Sequence, residues 1–296
     1  MKKISVIVNC HNGEKYLFQC ILSIINQTYR NFEIIVFDNY SSDQSKNIIK
    51  NLKDNRIKYY KSDVKLSLYE ARNQAIKKTT GEFIAFLDVD DWWDKNYLNS
   101  RKQLFNSEEY DLFYTNASTY YQNSKIFKKY KNFYLPSGKI YDSLAKDYFI
   151  IISGLIIRKF FFYKIGKFNP NLNIIGDFDF VMRASKKANF HGLNQPLIFY
   201  RVHKNNFSKL NSEIFFEEYK RWFENNNIDK KDFKFQKNIK FFRNKLNYLE
   251  ITSLLINKKK NLLLIKKILQ HEMIFEKIKF LILFFLPKKL FKFLKK

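Results

Sequence analysis

Residues 4–39 read ISVIVNCHNGEKYLFQCILSIINQTYRNFEIIVFDN, and the order of elements in this stretch indicates the class of fold. Ile4–Val8 is a short run rich in β-branched residues, which is typical of a strand buried in a parallel sheet. Apolar residues then repeat at helical spacing from Leu17 to Ile25, and Phe32–Phe37 predicts a second strand. The stretch therefore predicts two strands joined by a helix that covers them.

The same alternation continues along the chain. Ile48–Leu52 fits a short helix, Arg56–Tyr60 a third strand and Tyr69–Lys78 another helix. Phe83–Leu87 predicts a fourth strand. Strands that alternate with helices of about 10–15 residues predict an α/β fold with a parallel sheet covered on both faces.

Composition excludes several classes of protein. The 296 residues suffice for a large core, and 46% of them are hydrophobic, so the chain is not a disordered one. Two cysteines exclude a disulfide scaffold and a multi-cysteine zinc site. The net charge of +26 implies attraction to polyanions such as nucleic acid, anionic lipid or phosphorylated substrates. Residues 206–296 hold 22 Lys and Arg against 9 Asp and Glu, so the surplus is densest there.

Polar residues follow three of the predicted strands, at the sheet edge where α/β proteins bind ligands. They are Asn9, His11, Asp38, Asn39, Asp88, Asp90 and Asp91. Three acids within four residues repel one another unless a cation or hydrogen-bond donors compensate. Such oxygen ligands suit Mg²⁺ or Mn²⁺. The alternative for the acidic run is a solvated turn that caps the next helix.

Four motifs in order resemble the family 2 glycosyltransferases, which have a GT-A fold. They are residues 4–39 with the Gln27-Thr28-Tyr29 turn, Ser41-Ser42-Asp43, Glu70–Ile76 (EARNQAI) and Gly81–Asp91 (GEFIAFLDVDD). Shorter stretches around Gly166–Arg183 and Tyr200–Ser208 extend the resemblance to about residue 208. It implies a Rossmann-like, mostly parallel sheet flanked by helices. The basic helical C-terminal extension lies beyond the resemblance and is expected from the composition of that region. The resemblance also implies transfer of a sugar, with inversion, from a nucleotide diphosphate sugar to an acceptor hydroxyl.

The resemblance gives roles to the residues of the reaction centre. Asp90 is the first choice and Asp91 the second as a ligand of Mg²⁺ or Mn²⁺. His203 matches a histidine that completes the metal or diphosphate site in relatives; the alternative is a packing histidine. Asp177 matches the base that removes the acceptor proton on the face opposite the leaving group, and Asp179 is its rival.

Donor contacts are implied in the same way. Asp88 would accept a hydrogen bond from the donor ribose, and Arg72 would reach the diphosphate or Asp88; the alternative for Arg72 is a surface arginine. The remaining donor contacts are Asn9, His11, Asp38 and Asn39. His11 and Asn39 replace the aromatic ring and second aspartate that are common at the nucleobase. Uridine is the default base, and deoxythymidine is the close second.

The glycines all lie at or before Gly192, and the chain after about residue 207 reads as helical. We therefore expect a glycosyltransferase domain over 1–205, with a nucleotide-binding half over about 1–110 and an acceptor half over about 111–205. A helical basic C-terminal region would occupy 206–296. Within it, residues 272–296 form a basic amphipathic stretch that suits an anionic membrane surface. The alternative is a helix that packs on the domain.

Location and acceptor follow from these features. No apolar run approaches the about 20 residues of a membrane span, and Ile4–Val8 is too short for the apolar part of a secretion signal. We expect a cytoplasmic enzyme at the inner face of the cell membrane. Its acceptor would be a glycan or lipid-linked glycan of cell-envelope polysaccharide or lipopolysaccharide assembly.

Two other functions fit part of the sequence. A basic nucleic-acid-binding protein would explain the charge, but the acids after the fourth strand would repel phosphates, so we expect no nucleic acid partner. A non-catalytic relative that binds a nucleotide sugar would retain the fold without turnover. The intact Asp90, Asp91 and Asp177 argue against that alternative.

Overall fold

The computed structural model of the protein describes residues 1–256, 262–270 and 274–285. The chain forms two compact units, Met1–Lys204 and Asn205–Lys296. The strands of the first unit are β1 (Ile4–Cys10), β2 (Phe32–Asp38), β3 (Ile57–Lys61), β4 (Phe83–Phe86), β5 (Trp92–Trp93), β6 (Leu112–Tyr121), β7 (Ile126–Lys129), β8 (Ile156–Arg158) and β9 (Phe190–Val202). Its helices are α1 (Glu14–Ile25), α2 (Ser45–Asn51), α3 (Leu68–Lys77), α4 (Tyr141–Lys146), α5 (Lys159–Ile165) and α6 (Gly176–Ser185).

One sheet runs through the first unit in the order β3-β2-β1-β4-β8-β6-β9-β5, and β7 pairs with β6. The first four strands of that order are parallel, as the sequence predicts, so their carboxyl ends meet at one edge. Beyond β4 the sheet is mixed rather than mostly parallel, because β8 runs antiparallel to both β4 and β6. The β6–β7 hairpin adds another antiparallel pair, which is the only pairing that a short turn allows.

The core lies against both faces of the parallel strands. Val6 and Val8 of β1 and Val36 of β2 pack in one cluster with Leu17 and Ile21 of α1. Each aliphatic side chain buried in this way contributes about 1.5–3 kcal/mol. Their burial fixes the strand order, and with it the positions of the residues that follow β1, β2 and β4.

The second unit is helical. Its helices are α7 (Phe207–Leu210), α8 (Ser212–Ile228), α9 (Phe233–Ile256), α10 (Leu262–Leu269) and α11 (Ile274–Phe285). Trp222 of α8 packs edge-on against Phe242 of α9, and a second cluster joins Leu255, Leu264 and Phe280 of the last three helices. Across the described ranges, no helix is both long and apolar enough to cross a membrane. Of the stretch expected to meet a membrane, residues 272–273 and 286–296 lie outside the described residues.

A buried carboxylate joins β1, β2 and the turn before β4. Glu33 of β2 is 3% exposed, and its Oε1 accepts hydrogen bonds from Ser5 Oγ and Thr80 N, both at 2.6 Å. Lys58 Nζ donates to Oε2 at 2.7 Å. Burial raises the pKa of Glu33, but the bonds from Lys58, Ser5 and Thr80 outweigh burial and lower that pKa to about 2.

Replacing Glu33 by Gln should lower the free energy of unfolding by about 2–3 kcal/mol at neutral pH. The folded-state pKa lies below the ordinary value of 4.5, so this stabilisation is complete above pH 4.5 and is lost as the pH falls toward 2. Urea unfolding of both proteins should therefore show a difference that shrinks with acidification.

The matched control is Glu82→Gln, which removes an exposed acid paired with Lys2. It should change the free energy of unfolding by less than about 1 kcal/mol. Equal stability of wild type and Glu33→Gln at neutral pH would contradict the role given to Glu33.

Candidate active site

The acidic run that follows β4 lies at the carboxyl edge of the parallel strands, and its first acid is paired. Arg72 Nη2 of α3 donates to Asp88 Oδ1. The Arg72 side chain is 3% exposed and that of Asp88 is 38% exposed, so the cation is inside and the carboxylate faces outward. Burial raises the pKa of Asp88, and the positive charge of Arg72 opposes that rise. Of the two contacts expected for Arg72, the ion pair with Asp88 is present.

Asp90 and His203 form the second feature of this edge. His203 follows β9, and its Nε2 lies 3.0 Å from Asp90 Oδ2. Two ligand atoms bound at right angles to one Mg²⁺ ion, each at about 2.1 Å, would be about 3.0 Å apart. The two side chains therefore fit neighbouring positions around one divalent ion.

The described residues offer too few ligands to hold such an ion without other groups. Among the residues that the structure describes, no group of three or more His, Cys, Asp and Glu could hold a metal ion. Mg²⁺ is ordinarily bound by one or two carboxylates together with water and substrate phosphates. The pair of Asp90 and His203 fits that mode of binding and does not fit a closed structural site.

Asp91 occupies a different environment from Asp90. It is 2% exposed, its Oδ2 accepts from Ser153 Oγ at 2.6 Å, and its Oδ1 accepts from Arg201 N at 2.8 Å. Burial, with repulsion from Asp90 and Asp88, raises the pKa of Asp91 well above its ordinary value. Both carboxylate oxygens are thus turned toward the protein interior, whereas the sequence had offered Asp91 as the second metal ligand.

The polar residues at the carboxyl end of β2 have partners within the protein. Asp38 is fully buried, and its carboxylate accepts from Ser41 N at 2.7 Å and from Tyr59 OH at 2.5 Å. The side-chain amide of Asn39 donates to Leu66 O and accepts from Leu66 N, both at 2.9 Å. These two side chains, expected to contact the donor, hold the loops around the site in this structure.

The polar side chains at the end of β1 differ in environment from those at the end of β2. His11 is exposed, and its Nδ1 donates to the main-chain oxygen of Asn39 at 2.9 Å. Both amide atoms of Asn9 are buried, and neither has a hydrogen-bond partner within the described part of the chain. A buried amide without partners is costly, so Asn9 has an unused donor and acceptor for a ligand.

Asp177, at the start of α6, approaches the same edge. Tyr69 OH donates to its Oδ1 at 3.2 Å, and Phe178 N donates at 2.8 Å. Burial raises the pKa of Asp177, while the positive charge of Arg72 lowers it. The rival, Asp179, instead accepts from Arg183 Nε at 2.9 Å. Asp177 is therefore the acid that shares the electrostatic environment of Arg72.

Sequence reasoning gave no role to Arg201. In the structure this residue holds the acidic run in place through a bond to its main chain. Its Nε donates to the main-chain oxygen of Asp90 at 2.7 Å. Its guanidinium lies 4.4 Å from the ring centroid of Trp92 and 4.7 Å from that of Tyr16. The signal available in the sequence was the match of Tyr200–His203 to a motif of the family, which includes Arg201.

Comparison with known proteins identifies the family. The model of the family "Glycosyl transferase family 2" matches residues 5–184, more than half of the chain. The chain is 33% identical over 144 residues to the UDP-Glc:alpha-D-GlcNAc-diphosphoundecaprenol beta-1,3-glucosyltransferase WfgD of Escherichia coli, across 49% of this chain and 55% of WfgD. It is 26% identical over 210 residues to the putative teichuronic acid biosynthesis glycosyltransferase TuaG of Bacillus subtilis, across 69% of this chain and 81% of TuaG.

A solved structure supports the fold. TarS 1-349 of S. aureus in complex with UDP-GlcNAc superposes with a TM-score of 0.61 at 19% identity, over 98% of this chain and 73% of TarS 1-349. At that identity the likeness concerns the fold alone, and it confirms the expected GT-A type. The chain spans about half the length of WfgD, so the activity of the whole relative does not transfer with the match.

The contrast between Asp90 and Asp91 gives a stability prediction. Asp91→Ala leaves the buried Ser153 hydroxyl and Arg201 N–H without their acceptor, so it should lower the free energy of unfolding by about 2–4 kcal/mol. Asp90→Ala, at a carboxylate that is 26% exposed, should cost less than about 1 kcal/mol. Thermal melting of the two variants beside the wild type measures the difference. Equal losses in the two variants would show that Asp91 is not the structural member of the run.

Proposed function

This chain belongs to glycosyl transferase family 2, and on that premise we propose that it transfers a sugar from a nucleotide diphosphate donor to an acceptor hydroxyl. One observation carries the proposal: Asp90 with His203, Arg72 with Asp88, and Asp177 lie at one sheet edge. That edge offers a cation position for a leaving diphosphate and a base for an acceptor, the two groups that the reaction needs.

The proposed donor is a uridine diphosphate sugar, with a deoxythymidine diphosphate sugar as the alternative. The unpartnered amide of Asn9 offers a donor and an acceptor, which complement the imide edge that uracil and thymine share. WfgD is named for UDP-Glc, and TarS was solved with UDP-GlcNAc, which supports the uridine choice. Asp88 would accept from the donor ribose while Arg72 holds its carboxylate in place.

Asp90 and His203 would hold Mg²⁺ or Mn²⁺ together with the donor phosphates. When bound, the ion supplies a Lewis acid that neutralises charge on the leaving diphosphate. Asp91 then acts as a structural acid that keeps the Asp90 main chain in position.

Asp177 is the proposed base. Inversion requires a base on the face of the sugar opposite the leaving group, where it takes the proton of the attacking hydroxyl. Burial raises the pKa of Asp177, which makes the carboxylate a better proton acceptor than an exposed one. The charge of Arg72 opposes that rise and favours the charged form of the carboxylate.

The proposed acceptor is a lipid-linked glycan or an envelope polysaccharide, held at the inner face of the membrane. The names of WfgD and TuaG, a diphosphoundecaprenol-linked acceptor and teichuronic acid biosynthesis, support this class. In the second unit, Ile278, Ile282 and Phe285 of α11 are 51%, 46% and 76% exposed at successive turns, and Lys279 beside them is exposed too. An apolar stripe flanked by lysine suits peripheral contact with anionic lipid.

Calorimetric titration of UDP and dTDP, with and without Mn²⁺, tests the donor site. We expect UDP binding that depends on Mn²⁺ and that Asp90→Ala and His203→Ala each weaken by about tenfold or more. Asp177→Asn should leave that binding intact and lower turnover of the preferred sugar donor by about 10²–10⁴-fold.

The control for the titration is Asp147→Ala, an exposed acid paired with Lys131, which should bind UDP as the wild type does. Absence of binding for both nucleotides with Mn²⁺ present would overturn the donor assignment. Full turnover by Asp177→Asn would overturn the base assignment.

Co-sedimentation with vesicles tests the membrane contact. The full chain should bind vesicles that contain phosphatidylglycerol, bind neutral phosphatidylcholine vesicles far less, and be released by salt. Ile278→Asn with Ile282→Asn should weaken binding by about tenfold, because each change removes apolar area from the lipid contact. Phe127→Ser, at an exposed aromatic residue of β7, is the control. Unchanged binding by the α11 variant would place the contact elsewhere.

A further inference from the structure

We propose that Tyr69 is a positioning residue for Asp177, and that Gly176 is its obligatory partner because the Tyr69 ring fills the space beside it. The inference deepens the proposed function, since it rests on Asp177 as the base. No observation from the sequence or from the relatives assigns a role to Tyr69.

The hydroxyl of Tyr69 connects α3 to the start of α6. Tyr69 OH donates to Ile174 O at 2.7 Å and lies 3.2 Å from Asp177 Oδ1. One acceptor lies just before the helix and the other is in its first turn. A single hydroxyl proton shared between the two therefore sets both the start of α6 and the direction of the Asp177 carboxylate.

The ring of Tyr69 also holds the start of α6 in position, through close packing. A Cβ atom at Gly176 would lie 2.5–2.6 Å from three carbons of that ring, closer than real Cβ atoms approach any neighbour. The ring thus lies flat against the α6 backbone, and any side chain at position 176 would displace it. Tyr69 is 1% exposed and packs on Phe168 at 5.7 Å, so the ring has little room to move aside.

The same helix carries the cation of the site. Arg72 follows Tyr69 by three residues, which puts both on one face of α3. The Arg72 Cζ atom lies 5.4 Å from the Tyr69 ring centroid, and Arg72 pairs with Asp88. One rigid helix therefore sets the position of the base relative to the Arg72–Asp88 pair. Catalytic groups must be held within about 0.5 Å of their productive positions, so this arrangement on α3 would favour catalysis.

Several titratable groups act on the Asp177 carboxylate. They are Tyr69 and Arg72 of α3, Asp88 after β4, Tyr130 after β7, and Tyr148 after α4. Among these, Tyr69 and Arg72 favour the charged form, whereas Asp88 disfavours it. Loss of the Tyr69 hydroxyl therefore raises the pKa of Asp177, with the other groups unchanged.

The first test is Tyr69→Phe, which keeps the ring and removes the hydroxyl. Titration of the Asp177 carboxyl carbon by ¹³C NMR, with the signal assigned by Asp177→Asn, should show a midpoint raised by roughly half a pH unit. The control is Tyr97→Phe, at another buried tyrosine, whose hydroxyl has no partner within the described chain and which does not act on Asp177. Equal midpoints in wild type and Tyr69→Phe would overturn the proposal.

The NMR titration needs no substrate, so its result is independent of the proposed activity. A separate measurement tests catalysis: the turnover of UDP-glucose is followed as the release of UDP. Tyr69→Phe should lower kcat by about tenfold with little change in KM, while Asp177→Asn separately tests whether Asp177 is the base. A raised midpoint with an active Asp177→Asn would support the positioning role and reject the base.

The second test concerns the ring and Gly176. Gly176→Ala should move the Asp177 midpoint in the wild-type background, because the added Cβ displaces the ring. In a Tyr69→Ala background the same change should have little effect, since no ring remains to be displaced. Equal effects of Gly176→Ala in both backgrounds would show that the two residues act independently and would overturn the partnership.

Discussion

The buried carboxylate of Asp91 holds the active-site edge together, because its two hydrogen-bond donors come from distant parts of the chain. Ser153 precedes β8, and Arg201 lies in β9. Each donor also fixes a neighbouring acid: Ser153 Oγ accepts from Asp88 N at 3.2 Å, and Arg201 Nε donates to Asp90 O at 2.7 Å. The outward direction of Asp88 and Asp90 is therefore set by the mixed half of the sheet and not by the acidic run itself.

This dependence explains what the sequence could and could not predict. The first four strands and three helices follow from local periodicity, and they appear where the pattern puts them. Which of two adjacent acids faces a ligand is decided by the pairing of Trp92 with Phe199, residues more than a hundred positions apart. A pairing between such distant residues is not encoded in the residues beside Asp90 and Asp91. The motif alone therefore could not predict the different environments of the two acids.

The donor residues show a related limit. A resemblance transfers a position, but the use of a polar side chain depends on whether its neighbours already satisfy it. Asp38 and Asn39 stand at donor positions, yet Tyr59 and Leu66 engage their polar atoms. Asn9 lacks such neighbours in the described chain, and the packing around it could not be read from the strand pattern alone. The sequence thus predicts which strand ends carry polar residues, but it does not predict which of those residues have hydrogen-bond partners within the protein.

The acidic and basic residues of the chain are distributed unevenly, which bears on the anions that each part can bind. At the sheet edge, Asp88 and Asp177 act on the buried cation of Arg72, while Asp88 and Asp90 repel Asp91. Acids this close together disfavour a bare polyphosphate chain. Under the proposed function, a nucleotide diphosphate that arrives with a divalent ion would bring positive charge to these acids, which a nucleic acid backbone bound through lysines would not. The basic surplus of residues 206–296 lies in the second unit, where Lys279 stands beside the exposed Ile278 of α11. A net charge of +26 is therefore compatible with an acidic sheet edge in the first unit, because charge is distributed unevenly along the chain.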